Sequence, residues 1–189
     1  MLKSKRIFLA IEIHPQSNFI RSLEQLKNDL RNESIKWVSL NNMHLTFKFF
    51  GETHIERIGT IISCLDKVIK SELVFELAIK ETRIFGSSYQ PKLIWAGISE
   101  SNRLVELEKE INVNLEKIGY LNDRQNFVPH LTLGRIKQIS DKKLFQEIIQ
   151  KYRDLTFQKV EVNKIYLYES VLTRTGPIYT VIHEFPLKK

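Results

Sequence analysis

One four-residue pattern occurs twice in the sequence, first as His44-Leu45-Thr46-Phe47 and again as His130-Leu131-Thr132-Leu133. Each copy lies in a run that alternates between apolar and polar residues, which predicts a half-buried strand. Residues i and i+2 of a strand point to the same side, so each copy presents an imidazole and a hydroxyl on one face. A single strand histidine is weak evidence for a site. The repetition indicates two strands that face each other and supply two acid/base groups and two neutral donors.

This pair of groups suits the hydrolysis of a phosphodiester. Histidine has an ordinary pKa of about 6.5 and exists in both protonation states near neutral pH. One imidazole can therefore take a proton from water while the other gives a proton to the leaving oxygen. The threonines can donate hydrogen bonds to phosphate oxygens, where one well-placed donor is worth roughly 3 kcal/mol. This chemistry needs no metal or cofactor, and the sequence contains no His-Glu-x-x-His or Cys-x-x-Cys pattern.

The elements that must position the two patterns follow the same order in each half of the chain: strand, helix, motif strand, helix, strand. In the first half we predict a strand at 5–13, a helix at 17–31, a short extended piece at 37–40, a motif strand ending near Gly51, a helix of about 17 residues and a strand at 73–85. In the second half we predict a strand at 93–98, a helix from 104 to a C-cap at Gly119, a loop through Asn122-Asp123-Arg124, the second motif strand, a helix at 140–152 opened by Ser140, and strands at 157–168 and 178–185. Thr53 and Glu56 match a capping box at the start of the second helix.

These elements predict an α+β fold with two pseudo-symmetric lobes. Each lobe would be an antiparallel sheet with helices on its outer face, and the two sheets would face each other across a central cleft. The repeat divides the chain into lobes of roughly 1–90 and 91–189, with residues 86–91 as the crossover. No linker separates the lobes, so residues 1–189 are interpreted as a single domain.

Composition is that of a folded protein with an excess of positive charge. The chain has 189 residues, of which 42% are hydrophobic and 27% are charged, enough for a proper core. Its net charge of +7 favours a negatively charged partner, although an excess of this size also occurs in proteins that do not bind nucleic acid. Cys64 is the only cysteine, so no internal disulfide can form. We predict a cytoplasmic protein that does not enter the membrane and is a monomer.

Taken together, the residues resemble the two-histidine phosphoesterases, and among them the RNA 2′,3′-cyclic phosphodiesterases once named 2′-5′ RNA ligases. The resemblance covers nearly the whole chain, and its segments are 6–11, Trp37-Val38, 44–52, Trp95-Ala96-Gly97, 129–135 and 176–179. It implies hydrolysis of a 2′,3′-cyclic phosphate at an RNA end to a 2′-phosphomonoester. It also implies that His44 is the proton donor and His130 the proton acceptor, with Thr46 and Thr132 as phosphate holders.

Two basic residues near the motifs are further candidates for substrate binding. Lys48 has the parity of His44 and Thr46, so it would face the cleft, although a solvated strand lysine fits the pattern equally well. Arg135 has the wrong parity, but Gly134 precedes it, and a glycine inside a strand often marks a bulge. A bulge would turn Arg135 toward the phosphate.

Other candidates have competing interpretations. Phe8 fits a core aromatic better than a base-stacking residue, and Tyr179 fits either role. His14, His54 and His183 lie outside the His-x-Thr pattern and are interpreted as structural or exposed. The segment Gln90-Pro91-Lys92 departs from the arginine-rich pattern that the resemblance implies, and a lysine there would be a weaker phosphate ligand than an arginine.

Two functions from different classes follow from these residues. The first is a metal-independent RNA 2′,3′-cyclic phosphodiesterase, with 2′-5′ ligation of RNA as the reverse reaction at the same site. The second is a non-catalytic module that binds RNA ends. The presence of both histidines and both threonines favours the enzyme, because binding alone does not need a pair of proton-transfer groups.

Overall fold

A computed structural model describes residues 3–99, 102–121 and 127–189. These residues form, in chain order, β1 (Ser4–Glu12), α1 (Ser17–Asp29), β2 (Ser34–Trp37), β3 (His44–His54), α2 (Ile55–Ile69), β4 (Phe75–Gly86), β5 (Pro91–Ser99), α3 (Asn102–Glu116), β6 (His130–Gln138), α4 (Lys142–Lys151), β7 (Thr156–Val162), β8 (Lys164–Leu172) and β9 (Pro177–Pro186), with a short 3-10 turn at Leu40–Asn42 before β3. The predicted loop at Asn122-Asp123-Arg124 lies outside the described residues.

The strands form two antiparallel sheets, which confirms the predicted fold class. Sheet A has the order β3-β1-β8-β9 and sheet B has the order β2-β6-β5-β4-β7. Each sheet takes strands from both halves of the chain. β4 of the first half lies between β5 and β7, and β8 of the second half pairs with β1.

Alternation along each strand separates a core face from a cleft face. On β1, Ile7, Leu9 and Ile11 are fully buried in the main core, whereas Phe8 and Ala10 point to the opposite face with Tyr168. The helices cover the core face with amphipathic surfaces: α2 contacts sheet A and α3, and α1 and α4 contact sheet B. One continuous apolar core therefore supports both sheets from behind, and their other faces are free to form a site.

Two predictions about connections are wrong. The predicted strand at 157–168 is two strands, because β7 ends at Val162 in sheet B and β8 begins at Lys164 in sheet A. The apolar residues lie at even positions at the end of β7, at Val160 and Val162, and at odd positions at the start of β8, at Ile165 and Leu167. This change of parity at Asn163 was the available signal that the strand is interrupted. The segment 86–91 is not a crossover between sheets, because it joins β4 and β5, which are neighbours in sheet B.

The helix ends are only partly as predicted. Gly119 has a φ of +88°, and the bonds from Gly119 N to Glu116 O and from Tyr120 N to Leu115 O form the expected glycine-terminated C-cap. The capping box at Thr53 is wrong, because β3 continues to His54 and the Thr53 hydroxyl donates to Gly51 O. At α4 the cap is Asp141, whose carboxylate accepts the Leu144 N–H, and not Ser140.

The extended piece predicted at 37–40 begins where β2 ends, and its first bond, from Val38 N to Leu133 O, continues the pairing with β6. In the part of the chain that the structure describes, no helix is long and apolar enough to cross a membrane.

Candidate active site

A cleft of about 710 Å³ lies between the two sheets and contains the residues of both His-x-Thr patterns. Sheet A contributes His44 and Thr46 from β3, and sheet B contributes His130 and Thr132 from β6. All four side chains are half-buried, whereas Leu45, Phe47, Leu131 and Leu133 are buried on the opposite faces. The structure therefore brings together the four residues that the sequence pattern singled out.

Both histidines are held in the same way. The Nδ1 atom of His44 lies 2.7 Å from Asn42 O, and that of His130 lies 2.7 Å from Val128 O. A carbonyl oxygen only accepts hydrogen bonds, so Nδ1 carries the proton in both rings. In the neutral state each Nε2 then has a free lone pair, and in the charged state each Nε2 carries a proton. Each ring can therefore act as a base or as an acid through Nε2.

Burial lowers the pKa of both histidines below the ordinary value of 6.5. For His44, the hydrogen bond to Asn42 opposes this effect, and the charges of Arg135 and His130 lower the pKa further. For His130, burial also dominates, the bond to Val128 O opposes it, and Arg135 adds to it. Both imidazoles of the free protein are therefore poised to be neutral at pH 7, and an anion bound between them would favour protonation.

Aromatic rings fix the planes of both imidazoles. The His44 ring lies 5.0 Å from Phe8 and 5.1 Å from Tyr179, the latter edge to face. The His130 ring lies edge to face with Phe85, with centroids 4.9 Å apart. Phe8 is only 2% exposed, so it is mainly a core aromatic beneath His44, and Tyr179 lies on the cleft wall.

A bulge in β3 overturns the predicted orientation of Lys48. Thr46 pairs with Ala10 and Lys48 pairs with Leu9, so Phe47 is an extra residue that reverses the alternation. Lys48 is 4% exposed and its Nζ donates to Leu121 O at 3.0 Å. The prediction that Lys48 faces the cleft is wrong. Phe49 takes that place on the cleft wall and is 60% exposed.

The same bulge occurs in β6 and brings Arg135 into the cleft. Thr132 pairs with Trp95 and Gly134 pairs with Ile94, so Leu133 is the extra residue. The bulge predicted from Gly134 is therefore present, one position earlier, and Arg135 lines the cleft. The two bulges occupy the fourth position of both patterns, so Phe49 and Arg135 are equivalent residues on opposite walls.

The secondary candidates lie away from this centre. His14 and His54 are exposed, and His183 is half-buried beside Phe185. None of these three, and none of the residues Gln90, Pro91 and Lys92, is among the described residues that line the cleft.

Three functional candidates were missed in the sequence. Asn42 holds His44 through its carbonyl, and its side-chain Nδ2 donates to Pro177 O at 3.0 Å, which links His44 to β9. Its position two residues before the motif histidine was the available signal. Arg6 and Lys36 also line the cleft. Arg6 lies on the same face of β1 as Phe8, so strand alternation was a signal for it. No such signal existed for Lys36, because its position depends on the pairing of β2 with β6.

Two His-x-Thr strands that face each other across a cleft form an arrangement that suits acid/base chemistry on a phosphate ester. The sequence matches the family model of the LigT-like phosphoesterases over residues 13–95 and again over 97–179. The chain therefore belongs to the LigT-like phosphoesterase family. The double match also corresponds to the internal repeat.

Relatives with curated names cover nearly the whole chain. A Methanocaldococcus jannaschii protein named RNA 2′,3′-cyclic phosphodiesterase is 38% identical, over 95% of this chain and 99% of its own length. An Aquifex aeolicus protein with the same name is 39% identical, over 80% of this chain and 81% of its own length. The crystal structure of E. coli LigT complexed with 3′-AMP has a TM-score of 0.79 at 20% identity, covering 99% of this chain and 100% of that chain, which supports the fold.

Proposed function

We propose that this protein hydrolyses 2′,3′-cyclic phosphodiester ends of RNA to 2′-phosphomonoesters by paired acid/base histidines. The observation that carries the proposal is the matched arrangement of His44 and His130, each with Nδ1 held by a carbonyl two residues earlier and each lining one cleft from a different sheet. The names of the relatives from M. jannaschii and A. aeolicus support the same reaction.

The reaction needs one proton removed and one proton supplied. Water attacks phosphorus, and the Nε2 of neutral His130 accepts the proton of the attacking water. The bond between phosphorus and the 3′ oxygen breaks, and His44 gives its Nε2 proton to that oxygen. The product is a 2′-phosphomonoester with a free 3′ hydroxyl. The assignment of acid and base follows the family resemblance, because the two rings are held in equivalent ways.

The phosphate oxygens would be held by three groups around the histidines. Thr46 and Thr132 lie on the same faces as His44 and His130 and have hydroxyl donors. Arg135 lines the same cleft, and its positive charge lowers the pKa of both rings. These donors would stabilise the charge that develops on the non-bridging oxygens in the transition state. The two imidazoles supply both proton transfers, so the proposal needs no metal.

Phe49 offers a surface for the nucleoside. Its ring is 60% exposed on the cleft wall and lies 5.8 Å from the ring of Phe8. A base can stack on such a face with an energy of about 1–3 kcal/mol and little dependence on sequence. The prediction of a monomeric, cytoplasmic protein is retained from the sequence.

The first test is incubation with EDTA and a short RNA that ends in a 2′,3′-cyclic phosphate. We expect a 2′-phosphate product from the wild type and a loss of at least about 100-fold in kcat for His44→Ala and His130→Ala. A 3′-phosphate product would contradict the assigned bond cleavage. Tight binding without turnover would instead support the non-catalytic RNA-end module, and 2′-5′ joining of RNA ends would identify the reverse reaction.

A second test separates the roles of the histidines. A substrate with sulfur in place of the 3′ oxygen has a leaving group that needs no proton. We expect this substrate to restore most of the rate of His44→Ala and none of the rate of His130→Ala. Restoration in His130→Ala instead would reverse the two assignments.

A further inference from the structure

The cleft contains more positive charge than one cyclic phosphate requires. Arg6, Lys36 and Arg135 all line it, and none of the described residues that line it is acidic. Among the described residues, no carboxylate lies within ion-pair distance of any of these three side chains, and Glu52, the cross-strand neighbour of Arg6, accepts the Ser4 hydroxyl instead. Unpaired cations along a concave surface raise its potential and attract an extended anion.

The three cations lie at different places along the cleft. Arg135 is close enough to His44 and His130 to lower the pKa of both rings. Arg6 lies on the opposite wall, two residues beyond Phe8 on β1, which is roughly 6.6 Å further along the strand. Lys36 is the neighbour of Arg135 across the β2–β6 pair and lies on the edge strand of sheet B.

A cyclic phosphodiester carries a single negative charge. Arg135 and a protonated His44 are enough to neutralise this charge, and the two threonines can donate hydrogen bonds to its oxygens. Arg6 and Lys36 remain, one on each wall. Building on the proposed function, we propose that Arg6 and Lys36 form a second phosphate subsite, which binds the phosphate on the 5′ side of the cyclic nucleotide.

The substrate class follows from this subsite. A nucleotide whose 2′ and 3′ oxygens are both in the cyclic phosphate continues into an RNA chain only through its 5′ oxygen. The next phosphate therefore lies beyond the sugar and base, on the side where Phe49 is exposed opposite Phe8. Arg6 follows on the same face of β1. An oligonucleotide end, and not a cyclic mononucleotide, would fill both subsites.

The test compares a cyclic mononucleotide with a trinucleotide that ends in the same cyclic nucleotide. We expect the wild type to have a kcat/KM about tenfold higher for the trinucleotide, mainly through a lower KM. Arg6→Ala and Lys36→Ala should each remove most of this difference, so that the loss on the trinucleotide exceeds the loss on the mononucleotide. Each variant should also reduce the salt dependence of log kcat/KM for the trinucleotide by about 0.7 per lost phosphate contact.

Lys109→Ala is the matched control, because Lys109 is an exposed lysine on α3, away from the cleft. It should leave the ratio between the two substrates unchanged. Equal losses on both substrates in Arg6→Ala and Lys36→Ala would place these residues at the cyclic phosphate itself and overturn the subsite. Equal wild-type activity on both substrates would also overturn it, although the proposed hydrolysis would stand.

Two further experiments test the subsite without turnover and distinguish a terminal 5′-phosphate from a phosphate of the RNA backbone. Binding of the labelled trinucleotide to His130→Ala, measured by fluorescence anisotropy with and without Arg6→Ala, tests the subsite even if neither substrate is hydrolysed. A weakening of about tenfold supports it and no change refutes it. A cyclic mononucleotide with a 5′-phosphate then shows whether a terminal phosphate binds as well as the RNA backbone.

Discussion

At the scale of single residues, Asn42 links His44 to the cleft wall at β9. Its carbonyl accepts the His44 Nδ1–H, and its side-chain amide donates to Pro177 O on β9. His130 is held by Val128 O in an equivalent bond. Both rings are therefore held by a backbone carbonyl two residues earlier. Only the carbonyl that holds His44 belongs to a residue whose side chain is itself bonded to another strand.

Asn42→Ala should lower kcat by about tenfold, because the carbonyl that orients His44 loses its tether to β9. NMR of the imidazole Nδ1–H should show a change at His44, whose pKa should fall because the Asn42 bond raises it. His130 is the internal control and should not change. Equal changes at both rings would indicate general loosening of the cleft and contradict a specific role for Asn42.

The pH dependence of kcat/KM should be bell-shaped, with its maximum below the ordinary histidine pKa of 6.5. The proposed base must be neutral and the proposed acid must be charged, and burial lowers the pKa of both. The rate should therefore fall as the pH rises above this maximum, because His44 loses its proton.

Arg135→Gln removes a charge that lowers the pKa of both rings, so the whole profile should move to higher pH. The peak rate should also fall by about 10- to 100-fold, because a phosphate donor is lost. A profile measured in constant ionic strength checks both effects. A shift to lower pH would show that Arg135 does not act on these histidines through its charge.

At the scale of the elements, the bulges in β3 and β6 decide which side chains line the cleft. Each bulge inserts one extra residue into its strand, Phe47 in β3 and Leu133 in β6. The next side chain that faces the cleft is therefore Phe49 in β3 and Arg135 in β6. In β3 this buries Lys48 and exposes Phe49, and in β6 it buries Gly134 and presents Arg135. The two sides of the cleft therefore offer an aromatic surface and a charge at equivalent positions.

Gly134 is required by the close approach of β2. A Cβ at this position would lie 2.8 Å from Ile35 Cγ2 and 2.9 Å from Trp37 Cε3. Gly134→Ala should therefore lower the free energy of unfolding by about 1–3 kcal/mol and weaken catalysis through Arg135. Urea denaturation monitored by tryptophan fluorescence measures the first effect.

Gly59→Ala is the matched control for the same chemical change. Gly59 is exposed inside α2 and a Cβ there would have nothing within 4 Å. This variant should raise the free energy of unfolding by roughly 0.5–1 kcal/mol, because alanine is the better helix former. If both variants changed stability in the same direction, the contact at Gly134 would not be the cause.

At the scale of the molecule, the two sheets share strands between the halves of the chain. The chain passes from sheet A to sheet B and back as it goes from β1 to β2 to β3 to β4, and returns to sheet A between β7 and β8. The internal repeat is therefore a repeat of sequence and motif geometry, whereas the sheets are built from both copies. We infer that residues 1–189 fold as one domain.

Separate fragments of residues 1–90 and 91–189 should not fold alone. Fragment 1–90 would leave β4 without β5 and β7, and fragment 91–189 would leave β8 without β1. Circular dichroism and amide exchange of each fragment should show no cooperative, protected sheet. Cooperative unfolding of either fragment would contradict a single domain.

The sequence by itself predicted the candidate site and most of the elements. Two histidines and two threonines with a spacing of two were predicted to share a face, and they line one cleft, because the period of a strand is a local property of the backbone. The Arg135 bulge was also predictable, since a glycine in the strand indicated it. Lys48 was misplaced because the equivalent bulge in β3 has no glycine to mark it.

Only the tertiary structure decided which strands pair and what surrounds the motifs. The change of sheet at Asn163 and the placement of Lys36 beside Arg135 depend on partners distant in sequence. The role of Asn42 depends on Pro177, which lies on β9. Pairing across sheets is set by burial and hydrogen bonding between remote segments, and alternation within one segment carries no information about its partner.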